Sequence, residues 1–145
     1  MAVYQNILVA VDGSDESKRA LSKAIDLAGS SDAHLIIAHV VDTRALATIE
    51  QYNNTVISQA EDYGEKLLQD HEKEAKEAGV EKVTTVIEHG TPKGKIPRGL
   101  AEEYKADVVV AGATGLNAVE RLFIGSVSEA IVRHAPCDVL IVRNR

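Results

Sequence analysis

Five short apolar runs, each separated from the next by a segment of helical length, constrain this chain more than any other feature. The first, Asn6-Ile7-Leu8-Val9-Ala10-Val11, is nearly all apolar and is closed by Asp12-Gly13-Ser14, the pattern of a strand buried on both faces and ended by a turn. Comparable runs follow at His34–Val41, Asp107–Ala111 and Asp138–Val142, and a more polar one, rich in Val, Ile and Thr, at Lys82–Glu88. Between them the period changes. Ala20, Leu21, Ala24, Ile25 and Ala28 form one helical stripe, with Ser14 or Asp15 as its cap and Gly29 as its stop. Val56, Ala60, Tyr63, Leu67, Leu68, Ala75 and Ala78 form a second, ending near Gly79. A third helix is expected around Ile96–Tyr104, with Pro97 in its first turn, and a fourth from Ser126, where Ser126-x-x-Glu129 has capping-box spacing. Strict alternation of five strands and four helices predicts an α/β fold: a parallel sheet with helices on both faces, joined by right-handed crossovers.

In such sheets ligands sit beyond the carboxyl ends of the strands, where strand order reverses. Two turns carry the chemistry there. Gly112-Ala113-Thr114-Gly115, nine further residues, then Gly125-Ser126-Val127-Ser128 follow the fourth strand. The glycines allow positive φ and close approach to a ligand, and the helix start at Ser126 offers free N–H groups to an anion such as phosphate. Asp12 ends the first strand, where a carboxylate can accept ribose hydroxyls, hold a metal on a phosphate, or simply shape an Asp-Gly turn. Arg121 lies within the glycine-bounded loop, either reaching phosphate or solvated.

Composition narrows the partners. A formal charge of -6 argues against a general nucleic-acid or anionic-membrane surface, and four Tyr with one Phe leave few platforms for stacking bases. The 145 residues suit one domain, 1–145. Cys137 is the sole cysteine, placed as a small apolar filler, and no stretch approaches the ~20 apolar residues that span a bilayer. Without a signal-peptide pattern at the start, the expectation is a cytoplasmic protein.

Several tempting motifs fail on spacing. Gly90-Thr91-Pro92-Lys93-Gly94-Lys95-Ile96 has three residues between its glycines where a P-loop has four, and Ile96 where a hydroxyl must reach Mg²⁺. No Gly-x-Gly-x-x-Gly follows the first strand. The histidines His34, His39, His71, His89 and His134 are scattered, with neither zinc-site spacing nor a nucleophile elbow nearby. A response-regulator receiver needs an aspartate after the third strand and a lysine after the fifth; this chain has Glu88-His89-Gly90 and Arg143.

Over essentially its whole length the chain resembles the universal stress protein family, specifically its ATP-binding branch. The strongest part is Gly112-x2-Gly115-x9-Gly125-Ser126, which matches that branch's phosphate motif without a gap. Ile7–Ser14, His39-Val40-Val41, Gly90-Thr91-Pro92, Ala106–Val110 and Ala135–Val142 support it. The resemblance implies a Rossmann-like five-stranded sheet of order 3-2-1-4-5. It places adenine near Ala10, Val11 and Val40, ribose against Asp12 and Gly112, and phosphates on Gly115, Gly125, Ser126, Val127 and Ser128, with Mg²⁺ held mainly by phosphate oxygens. It further implies a homodimer through the last strand, Asp138–Val142, whose apolar edge invites another chain. The function expected is an ATP-dependent switch of the stress response with slow or no hydrolysis. Two alternatives stay open: an ATPase or nucleotidyl-transfer enzyme, whose Ser-Gly-Gly-x-Asp-Ser loop is here only Asp12-Gly13-Ser14-Asp15-Glu16-Ser17, and a nucleotide-free interaction module.

Overall fold

The computed structural model describes residues 4–43, 53–114 and 124–143. Its strands are β1 (Asn6–Ala10), β2 (His34–Asp42), β3 (Val83–Gly90), β4 (Val108–Gly112) and β5 (Asp138–Val142). All pair in parallel, in the order β3-β2-β1-β4-β5, as the sequence pattern and the resemblance predict. β1 lies at the centre, with Leu8 opposite Ile36 of β2 on one side and Val109 of β4 on the other. Strand order reverses between β1 and β4.

Alternate residues of each central strand go to opposite faces, so the buried positions of each strand are nearly all apolar, His39 of β2 excepted. Ile7, Val9, Leu35, Ile37, Val108 and Val110 join one core with Ala20, Leu21, Ala24, Ile25 and Ala28 of helix α1 (Asp15–Ser31) and with Leu68 and Ala75 of α2 (Asn53–Glu77). Leu8, Ile36, Ala38, Val109 and Ala111 join the other, under Ile96, Leu100 and Ala101 of helix α3 (92–103) and Ile131 of α4 (Ser126–His134). The expected α1 stripe is buried in full.

Helix boundaries depart from expectation where local chemistry allows two readings. Ser14 caps α1 by accepting the Ser17 N–H, but the helix runs through Gly29 and closes only at Asp32, which takes the left-handed conformation. α3 begins at Pro92, with Pro92–Gly94 its first turn, instead of near Ile96. Pro97 therefore lies inside the helix. Its missing N–H and bulky ring are accommodated by a widened turn, Lys95–Leu100, in which the Ala101 N–H reaches back five residues to the Ile96 carbonyl before Ala101–Glu103 completes the helix. Of the α2 stripe, Leu68 and Ala75 are buried as expected, whereas Tyr63 and Ala78 are exposed. Residues 44–52, which include most of the linker before α2, lie outside the described residues.

Candidate functional site

The carboxyl ends of β1 and β4 meet at the reversal of strand order, and four segments converge there. Asp12 turns the chain out of β1: its Oδ1 accepts the Ser14 N–H at 2.9 Å, while its own N–H donates to Ser17 Oγ at 3.3 Å. Ser17 Oγ in turn donates to the Ser14 carbonyl at 3.1 Å. The Asp-Gly turn reading is thus correct for one carboxylate oxygen; among the described residues nothing engages the other. Gly13 has φ +86°, a conformation that L residues rarely adopt. The Tyr63 hydroxyl stands where a Cβ at Gly13 would be, 3.5 Å from the Asp12 carbonyl oxygen to which it donates.

β2 supplies the next wall. Val40 and Val11 are buried and Ala10 is half-buried, so all three lie at the strand ends expected to receive an adenine. His39 is buried beside them and donates from Nδ1 to the Val11 carbonyl at 2.8 Å, which fixes that tautomer. Its ring meets Tyr63 edge-on at 6.2 Å, and Gly64 exists beside it because a Cβ would come within 2.6 Å of His39 Cδ2.

The glycine loop is used differently from the sequence expectation. Neither Gly112 nor Gly125 has positive φ; Gly125 is extended at φ -65°, ψ 161°. Gly112 lacks a side chain because α1 presses on it: a Cβ there would lie 2.9 Å from Glu16 Cβ and 3.0 Å from the Glu16 carbonyl carbon. Close approach is real, but the approaching group is a helix. Glu16, itself buried, extends its carboxylate to the Thr114 N–H at 2.7 Å. Nothing local in the sequence marks that contact, since its partners are 98 residues apart.

Gly125, not Ser126, is the N-cap of α4, and among the described residues no side chain caps the helix. The capping-box spacing is therefore not realised. The Gly125 N–H donates to the Ala113 carbonyl at 2.6 Å and the buried Ser128 hydroxyl to the Gly112 carbonyl, so these two groups hold the loop ends together. The first intrahelical bond runs from Glu129 N–H to the Gly125 carbonyl at 2.9 Å. The N–H groups of Ser126, Val127 and Ser128 precede it and have no intrahelical acceptor, and they stand at the positive end of the helix dipole. Gly115 and Arg121 lie within 115–123, outside the described residues.

Elsewhere the chemistry is bland. Burial raises the Cys137 thiol pKa, which keeps it protonated and suits a filler. Among the described residues no cluster of His, Cys, Asp or Glu could hold a metal ion, and no helix is long and apolar enough to cross a membrane. A polar groove at the opposite, amino-terminal end of the sheet is lined by Asn6, Asp32, His34 and Lys82 among others. Its charges are mixed, and His34 is bonded to Thr84 Oγ1 at 2.6 Å, so it lacks the convergent donors found beyond β4.

Fold and crevice together define a doubly wound α/β protein in which helix α4 starts at the switch point, beside the end of β4. Residues 3–143 match the Universal stress protein family, and the chain belongs to it. A relative from Staphylococcus haemolyticus that carries the universal stress protein name is 48% identical over 143 residues, 99% of this chain and 87% of the relative. The structure of universal stress protein UspA from Lactobacillus plantarum superposes with a TM-score of 0.87 at 29% identity, covering 99% of this chain and 100% of that one. A universal stress protein in complex with cAMP superposes with a TM-score of 0.70 at 32% identity, covering 98% of each chain.

Proposed function

We propose that this protein binds an adenine nucleotide, ATP in the first place, in the crevice between β1 and β4, and acts as a nucleotide-dependent switch in a stress response. One observation carries the reading: among the described residues α4 starts without a side-chain cap at the switch point, leaving the amides of Ser126, Val127 and Ser128 to an anion. The cAMP complex of a structural neighbour supports adenine as the base. In this reading adenine packs against Ala10, Val11 and Val40, ribose bonds to the open oxygen of Asp12 beside Gly112, and the phosphates lie along the α4 amides, with Gly115 and Gly125 shaping the loop. Mg²⁺ rides on the phosphate oxygens. In this reading turnover is slow or nil, and the nucleotide acts through binding. For ATP to act as a switch it must favour one state over another, and a homodimer through β5 supplies the element to be biased.

Calorimetric titration with ATP, ADP, AMP, cAMP and GTP, with and without Mg²⁺, tests the reading. Adenine nucleotides should bind and GTP should not; silence from all five at millimolar concentration overturns it. Ser126→Pro localises the site. Pro suits the first position of a helix, and Gly125 already has the extended backbone that a following Pro requires, so α4 survives with one amide fewer. Affinity for ATP should fall about tenfold with little change in Tm, the loss of one charge-assisted bond; undiminished affinity would place the phosphates elsewhere.

A further inference from the structure

Glu16 is a buried carboxylate, 9% exposed, that no Lys, Arg or His pairs among the described residues. Such a group must be satisfied by N–H donors or it destabilises the fold. Its position in the first turn of α1 sets it against the positive end of that helix, and its Oε2 accepts the Thr114 N–H at 2.7 Å. Thr114 is the second residue after β4 and directly precedes Gly115. One residue of α1 thus touches the phosphate loop twice: its backbone against Gly112 and its carboxylate on Thr114.

We infer that Glu16 is a positioning residue for the nucleotide site: it tethers the peptide at Thr114 to the first turn of α1 and so fixes the chain end after β4 to which the start of α4 is bonded through Ala113 and Gly112. The inference rests on the nucleotide reading above and deepens it. The Thr114 amide is turned to protein and is therefore not a phosphate donor. The tether also joins the two halves of the fold across the switch point, because Glu16 follows β1 and Thr114 follows β4. Reach matters more than charge here, since the acceptor must span from α1 to the loop. Gln keeps the length and an acceptor oxygen, whereas Asp keeps the charge and is one methylene short.

Three variants separate these terms, each read by ATP titration and by amide hydrogen exchange at Thr114. E16Q should retain Thr114 protection and bind ATP within about threefold of wild type, because a neutral acceptor keeps most of the bond. E16D and E16A should lose the protection and weaken ATP about tenfold, the scale of one hydrogen bond to a charged acceptor. Unchanged protection and affinity in E16A would overturn the inference, as would E16D behaving like wild type while E16Q behaves like E16A. If wild type binds no nucleotide, the functional reading fails, and Thr114 exchange in the same variants still decides whether Glu16 holds the loop. Should E16A not fold, the near-isosteric E16Q and E16D carry the comparison.

Discussion

At the scale of residues, the crevice shows how one residue type serves different ends. Gly13 is a glycine for its backbone, at φ +86°; Gly112 is one because the first turn of α1 leaves no room for a Cβ. Gly112→Ala should therefore destabilise the protein by about 1–3 kcal/mol, the usual cost of overpacking, since the atoms it meets include the backbone of Glu16. Urea unfolding measures this directly, and a neutral result would show that α1 can shift. The sequence reading took the close approach at Gly112 to be that of a ligand; in the fold the approaching group is the first turn of α1. Glu16 and Thr114 were illegible for the same reason: a contact between residues 98 apart is a product of the fold and leaves no local pattern. The place of Asp12 after β1 was legible from its strand-to-turn context, and the structure realises its turn role through the Ser14 N–H. Tyr63 was misread because its spacing fits the α2 stripe, while its hydroxyl is drawn out to the Asp12 carbonyl.

At the scale of elements, strands were the most legible part, because burial on both faces writes itself as a nearly continuous apolar run in β1, in β2 but for His39, and in β4. Helix starts were less so. Pro92 and Pro97 are both acceptable in a first turn, and only the widened turn at Lys95–Leu100 reveals that Pro97 is interior. α2 carries a further liability in His71, which is 5% exposed and whose ring nitrogens have no hydrogen-bond partner among the described residues. Burial lowers its pKa below the ordinary 6.5; Glu74, 3.6 Å away and half exposed, and Asp70 oppose that shift without reversing it, while Lys18 of α1 reinforces it. The unfolded chain then takes up a proton near pH 6.5 that the folded chain refuses. Stability from this site is complete above that pH and is lost as pH falls through the depressed folded value. His71→Leu should flatten the fall in urea midpoint between pH 7.5 and 5.5, and an equally steep fall in the variant would assign it to other groups.

At the scale of the whole molecule, β5 is a sheet edge whose Val139, Leu140 and Ile141 pack on the two cores yet stay only partly covered. An edge of this kind is covered in most proteins, and a second copy of the chain is the proposed cover. Light scattering at micromolar concentration should give twice 15.6 kDa; a monomer would remove the dimer from the proposed switch. The central claim concerns where charge is collected in an acidic protein: at the open start of α4, on the carboxyl side of the sheet. Amide chemical shifts followed during ATP titration test it most directly. The largest changes should fall on Ser126, Val127 and Ser128, with smaller ones at Asp12 and Val40; changes concentrated at Asn6, His34 and Lys82, in the groove at the other end of the strands, would contradict it.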